Sequence, residues 1–251
     1  RKSGLQQAIV EGAFEVHYQP IVSVESGKLA SMEALVRWPH PVEGMISPAE
    51  FIPIAESTGL ILPLGELILR TVCNQVSTWG SMGLNGFRVA VNFSARQFEI
   101  DVAALVREAM NEAGILPTTL ALEITEGLAM KDLDRNTEML EDLKRLGVSI
   151  SMDDFGTGYS SLSYLKRFPL NTLKIDRSFI KDIHENEDDQ EITRAIIAMG
   201  QSLNLATLAE GVETEEQVEI LREYGCDYIQ GFFFSKPLPA NEMTDFLQKT
   251  A

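Results

Sequence analysis

Eight apolar runs of strand length punctuate the chain, at residues 14–22, 28–38, 87–92, 119–125, 148–153, 172–175, 205–210 and 227–230. From the third run onward, the segments between them switch to helical spacing or carry helix-boundary signals, over 102–113, 135–146, 161–168, 192–203 and 215–224. Helix starts are well marked. Ser47-Pro48-Ala49-Glu50 supplies an N-cap, a proline at the first helical position and a glutamate at N3, the capping-box spacing. Thr214-Glu215-Glu216-Gln217 repeats that spacing before the last long helical segment.

Eight strands alternating with helices predict an α/β fold, a TIM-like (β/α)8 barrel. One connection breaks the pattern. Only Ser23-Val24-Glu25-Ser26-Gly27 separates the first two runs, whereas a parallel crossover needs a dozen or more residues. The first two strands must therefore form a hairpin, so the first strand is antiparallel to the rest. The stretch 47–86 is long enough for two helices before the third strand. The acidic run Glu185-Asn186-Glu187-Asp188-Asp189 reads as a solvated loop capping the next helix.

The 251 residues suit one such barrel, a single domain over 1–251. The chain begins without Met, and we expect a domain excised from a longer protein. Cys73 and Cys226 lie far apart in apolar runs and read as buried, reduced thiols. No apolar stretch reaches the roughly 18 residues of a membrane span, so no direct membrane contact is expected from this segment. A formal charge of -16 argues against DNA or RNA polymers and against anionic membranes as partners.

Where the strands run out stand Glu33, Asn92, Glu123, Asp153, Asp154 and Glu210. In a barrel, the carboxyl ends of the strands form one rim, and that rim carries the chemistry. Each residue alone also fits a structural role. Glu33 suits an outward position on a half-exposed strand, and Glu123 shares that ambiguity. Asn92 suits a turn, and Glu210 a tight turn before Gly211. The adjacent pair Asp153-Asp154 is harder to place, because neither has an obvious basic neighbour. Adjacent carboxylates flank hard divalent cations well. Lys174 suits either a pair with Asp176 or a place on the rim, orienting water or stabilising negative charge.

Taken in order, the strings Tyr18-Gln19-Pro20-Ile21, Glu33-Ala34-Leu35, Val91-Asn92-Phe93-Ser94 and Glu123-Ile124-Thr125-Glu126 open a longer set. It continues through Asp153-Asp154-Phe155-Gly156-Thr157-Gly158-Tyr159-Ser160-Ser161-Leu162, Leu173-Lys174-Ile175-Asp176, Ala209-Glu210-Gly211-Val212-Glu213-Thr214 and Gln230-Gly231-Phe232. This set resembles the EAL-domain family, cyclic di-GMP-specific phosphodiesterases, from about Phe14 to Pro239. The resemblance implies that Glu33, Asn92, Glu123 and Asp153 ligate one metal, with Asp153 shared by a second held by Asp154 and Glu210. It implies Mg2+ or Mn2+, two per site. Lys174, with Glu33 and Glu210, carries the catalytic role, Lys174 contacting the attacking water. Glu126 anchors the Asp-Asp-Phe-Gly loop. Gln19, Arg37, Asp176 and Gln230 match substrate-binding positions, Arg37 through a phosphate. The family barrel also has a reversed first strand.

The implied reaction is hydrolysis of cyclic di-GMP to linear pGpG by two-metal activation of water. Five rim carboxylates are balanced by two divalent cations together with Lys174. The resemblance further implies a homodimer, with the loop after Asp154 and the following helix near its interface. It implies a cytoplasmic domain, leaving membrane attachment of a longer protein open. The rival expectation is an inactive cyclic di-GMP-binding sensor, and such relatives usually lose a metal ligand, the lysine or the loop. None of those losses is present here.

Overall fold

The computed structural model describes residues 2–158 and 162–250. In chain order, α1 (Lys2–Glu11), β1 (Glu15–Ser23) and β2 (Leu29–His40) are followed by β3 (Gly44–Ile46), α2 (Pro48–Thr58) and α3 (Ile61–Ser81). Next come β4 (Arg88–Asn92), α4 (Val102–Ala113), β5 (Leu120–Thr125), α5 (Glu126–Lys131), α6 (Leu133–Leu146) and β6 (Ser149–Phe155). The chain continues through α7 (Leu162–Arg167), β7 (Thr172–Ile175), α8 (Arg177–Ile180), α9 (Glu187–Ser202) and β8 (Ala206–Ala209). It closes with α10 (Glu215–Tyr224), β9 (Tyr228–Gln230), β10 (Leu238–Pro239) and α11 (Ala240–Thr250).

Eight of these strands close a barrel in the order β1-β9-β8-β7-β6-β5-β4-β2, and β2 returns to β1. β1 runs antiparallel to both neighbours, while every other barrel pairing is parallel. The short first loop dictated this reversal. All eight barrel strands fall on the eight apolar runs. The two extra strands, β3 and β10, only lengthen the edges of β2 and β1.

Strand alternation sorts the side chains. Val89, Val91, Leu122, Ile150, Met152 and Leu173 face outward into the main apolar core between barrel and helices. The reversed β1 is clamped there by Tyr18, whose ring meets Trp79 edge-on at 5.0 Å, while Trp79 Nε1 donates to Thr244 Oγ1 at 2.8 Å. A second cluster, built on Leu5, Trp38, Phe51 and Leu64, packs α1 and α2 over the extended end of β2. Cys73 and Cys226 are both buried and free.

Several boundaries moved for physical reasons. α9 begins at Glu187 because the Asn186 side chain accepts the Asp189 amide, which draws most of the acidic run into the first turn. There its carboxylates meet the positive end of the helix dipole. α6 starts at Leu133 because Asp132 caps it. The Thr214–Gln217 capping box forms in full, whereas the Ser47 hydroxyl takes the Ala49 amide. Ser161, expected to open the helix after Asp154, lies outside the described residues with Tyr159 and Ser160. Among the described residues, no helix is long and apolar enough to cross a membrane.

Candidate active site

The inward positions near the strands' carboxyl ends carry Glu33 on β2, Asn92 on β4, Glu123 on β5, Asp153 on β6 and Lys174 on β7. Register steps them around the rim: Asn92 lies opposite Glu123, while Asp153 lies opposite Thr125, two residues beyond Glu123. Because β1 is reversed, Gln19 in its middle pairs directly with Glu33.

Lys174 is the hub. Its side chain is 0% exposed, and Nζ lies 2.7 Å from Glu123 Oε2, 2.8 Å from Glu210 Oε1 and 3.3 Å from Glu33 Oε2. The pair with Asp176 that the sequence also allowed is not made. Burial alone would lower the pKa of this ammonium, but Glu123, Glu33, Glu210 and Asp153 outweigh burial and hold it well above the usual lysine range. The lysine therefore stays charged.

One cation cannot satisfy so many acids. Burial pushes Glu33 up, yet Lys174 and hydrogen bonds from Asn92 and Gln230 win and hold it below the ordinary glutamate range. Glu123 goes the other way, raised well above normal by burial and by Glu33. Burial pushes Glu210 up to about 7, with Asp153 and Glu33 adding to the effect and Lys174 opposing it. Asp154 rises to about 6 through burial, Asp153 and a hydrogen bond with Asp176. The rim holds more negative charge than its own lysine offsets.

Adjacent strand residues normally point to opposite faces, which would separate Asp153 from Asp154. Here the β6–β7 register breaks between Met152 and Phe155, and Asp154 adopts the left-handed conformation, φ +54°. That backbone costs a non-glycine residue roughly 1–2 kcal/mol. It turns Asp154 inward, so ligand atoms of Asp153, Asp154 and Glu210 all lie within 4.8 Å of one another. Three hard oxygen donors with surplus charge fit a divalent cation, and Asp154 and Glu210 among them also have raised proton affinity. Glu33 and Glu123 are bound instead to Lys174. Asn92 meets Glu33 through its amide nitrogen at 2.8 Å, so its oxygen is the atom that could ligate a cation.

The remaining expected residues take distinct places. Gln230 Nε2 donates to Glu33 Oε2 at 2.7 Å and to Gln19 Oε1 at 3.0 Å, and Gln19 in turn donates to the Ser235 carbonyl. Asp176 caps α8, where its carboxylate accepts the Ser178 amide and is held below the usual range despite burial. Glu126, the first residue of α5, is buried with its carboxylate 3.3 Å from where a Cβ on Gly158 would stand. Arg37 lies four residues past Glu33 on β2 and donates to the Val36 carbonyl.

A cavity of about 660 Å³ opens beside the acids, lined by Gln19, Glu33, Glu210, Gln230, Arg177 and Lys181. Sequence reasoning missed the two cations. Their spacing of four on the helix after Asp176 was the available signal. It also saw only half of Gln217. Besides accepting the Thr214 amide in its capping box, this buried side chain accepts the Glu213 amide and donates to the carbonyls of Ile180 and Lys181. It thereby ties the loop after β7 to the loop after β8. Glycines close the same seam: a Cβ on Gly211 (φ +72°) would stand 2.6 Å from Arg177 Cβ, and one on Gly231 2.1 Å from the Val212 carbonyl oxygen.

A barrel with one reversed strand, whose rim gathers acids around a buried lysine, defines a metal-seeking rim of hard oxygen donors. The chain matches the EAL domain model over residues 3–237 and belongs to that family. Pseudomonas aeruginosa MucR, a bifunctional diguanylate cyclase/cyclic di-GMP phosphodiesterase, is 46% identical over 240 residues, 95% of this chain and 35% of that protein. Escherichia coli PdeR, a cyclic di-GMP phosphodiesterase, is 39% identical over 239 residues, covering 95% and 36%. The chain spans about a third of the length of these relatives. Among solved structures, the PaMucR phosphodiesterase in complex with c-di-GMP superposes with a TM-score of 0.93 at 46% identity, covering 96% of this chain and 98% of that one.

Proposed function

We propose that this chain hydrolyses cyclic di-GMP to linear pGpG, using two divalent cations, Mg2+ or Mn2+. One observation carries the reading. In a chain 46% identical to a cyclic di-GMP phosphodiesterase, every rim residue expected to serve the chemistry is present, and Lys174 joins three of the acids. Glu33, Asn92, Glu123 and Asp153 would hold one cation, and Asp153, Asp154 and Glu210 the other. When bound, the cations supply Lewis acidity, making the attacking water more acidic and offsetting the phosphodiester's charge.

The chain's own residues do the rest. Lys174 stays protonated, donates toward the attacking water and stabilises negative charge building on the phosphoryl oxygens. Gln230 fixes Glu33 and Gln19 relative to each other, so ligand and substrate contacts keep one geometry. Gln19, Asp176 and Gln230 hold the dinucleotide, and Arg37 takes a phosphate. Glu126 steadies the loop after Asp154. In the reaction, the water oxygen bonds to phosphorus and the P–O3′ bond breaks. One proton goes to O3′, and the other stays on the new 5′-phosphate until that group ionises.

Incubation with cyclic di-GMP and Mg2+ or Mn2+, followed by ion-pair chromatography, tests the reading. We expect conversion to one linear dinucleotide, abolished by EDTA and restored by metal. Substrate recovered intact under both metals overturns it. We further propose a homodimer with the loop after Asp154 at or near its interface, and light scattering gives its mass.

A further inference from the structure

The interior of an eight-stranded barrel of this kind is ordinarily filled by layers of bulky branched side chains. Here six inward positions below the acidic rim carry only Ser31, Ala90, Ala121, Ser149, Ser151 and Ala206, with the bulkier Ile21, Leu208 and Tyr228 confined to β1, β8 and β9. The register stacks them beneath the site: Ser151 lies opposite Glu123, with Ser149 opposite Ala121 one layer lower. A cavity of about 660 Å³ results, opening at the amino-terminal mouth and reaching Glu123 at its inner end.

Exposed residues Asn85, Thr118, Asn171 and Asn204 line its mouth, so this space connects to solvent. Ser149 and Ser151 keep 7% and 8% of their surface, whereas Ile150 between them, facing the helices, keeps 0%. Tyr228, Thr172, Thr118 and Asn171 add hydroxyl and amide groups to a wall that Ile21, Leu116 and Leu208 share, and a cavity this roomy with that many polar partners holds water. At its inner end Glu123 is bonded to Lys174, the residue assigned above to the attacking water.

We propose that the lower half of the barrel is a solvent chamber that delivers water to the Glu123–Lys174 pair from the face opposite the substrate. This rests on the hydrolytic reading of that pair. Each turnover consumes one water, and a dinucleotide seated in the upper cavity covers the other approach. The small residues of the chamber are thus part of the reaction's supply.

A reversible plug tests it. Ser149→Cys places a thiol roughly 7 Å below the Glu123 layer, two residues along the strand. The native Cys73 and Cys226 are buried, with burial pushing both thiols up to about 12, so the unsubstituted protein gives the labelling background. The variant is treated with methyl and then benzyl methanethiosulfonate, with and without a phosphorothioate analogue of cyclic di-GMP. The introduced thiol should react at the same rate in both conditions. The benzyl label should cut kcat at least tenfold with KM changed less than twofold, the methyl label should cut it less, and dithiothreitol should restore the rate. Should Ser149→Cys not fold, Ala206→Cys, two strands round the barrel wall, gives the same readout. A thiol that resists labelling, one shielded by the analogue, or a full benzyl label with unchanged kcat overturns the chamber. An unlabelled variant and parent that both fail to hydrolyse cyclic di-GMP overturn the hydrolytic reading itself, and this inference with it.

Discussion

Lys174 Nζ lies 2.7 Å from Glu123 Oε2, with both side chains buried. A buried ammonium survives only where its partners are charged and close, and removing one member of such a set leaves the others uncompensated. Lys174→Met should therefore lower kcat at least a hundredfold, as expected when a group stabilising developing charge is lost. Its circular-dichroism spectrum should match the parent. A rate within a few-fold of the parent would sink the role given to this lysine.

Proton affinity at the rim makes metal binding depend on pH. Asp154 titrates at about 6 and Glu210 at about 7 in the metal-free protein, both raised above their ordinary values mainly by burial. The folded state thus binds more protons than the unfolded chain between about pH 4 and 7. These two groups lower stability as pH rises through that window. A cation competes for the same oxygens, so the gain in Tm on adding Mg2+ should grow from pH 5.5 to 8. Thermal scans with EDTA and with Mg2+ measure it. A gain that is flat or shrinking with pH contradicts the assignment.

Gln217 touches no rim acid, yet it bridges the loops that carry Asp176 and Glu210. Gln217→Leu keeps the volume and deletes four hydrogen bonds, so we expect kcat/KM to fall about tenfold and the Mg2+ concentration for half activation to rise. Gln217→Glu, which keeps the accepting oxygens, should recover part of the loss. A purely structural role would lower Tm while leaving metal activation unchanged.

Gly231 has no room for a side chain, because an added Cβ would overlap the Val212 backbone. Moving that backbone would shift both Gln230 and the loop holding Glu210. Gly231→Ala should cost more than about 3 kcal/mol of stability, among the larger effects of a single substitution. Denaturant unfolding reads it directly. A cost under about 1 kcal/mol would mean that the Val212 backbone yields easily at this seam.

The barrel was legible because its signals are long and redundant. Eight apolar runs and one loop too short for a crossover set both the strand count and the reversal of β1. The rim residues were legible as strand ends, and family resemblance supplied their roles. Illegible were features that depend on three-dimensional encounter. Asp154 reaches the cluster only through a left-handed residue at a register break. Arg177 and Lys181 acquire meaning only when α8 faces the cavity. The small interior of the barrel hid behind the same alternation that revealed its strands, since Ser149 and Ser151 read as ordinary polar positions. β3, β10 and α8 are too short for any periodicity to mark.

The central claim is that water attacks a phosphodiester of cyclic di-GMP at this rim. Turnover in 18O-enriched water with Mg2+ or Mn2+, followed by mass spectrometry, tests it most directly. The account predicts pGpG carrying one 18O atom, located on its 5′-phosphate. Cyclic di-GMP recovered intact, although calorimetry shows it bound, would contradict hydrolysis and make this domain a sensor.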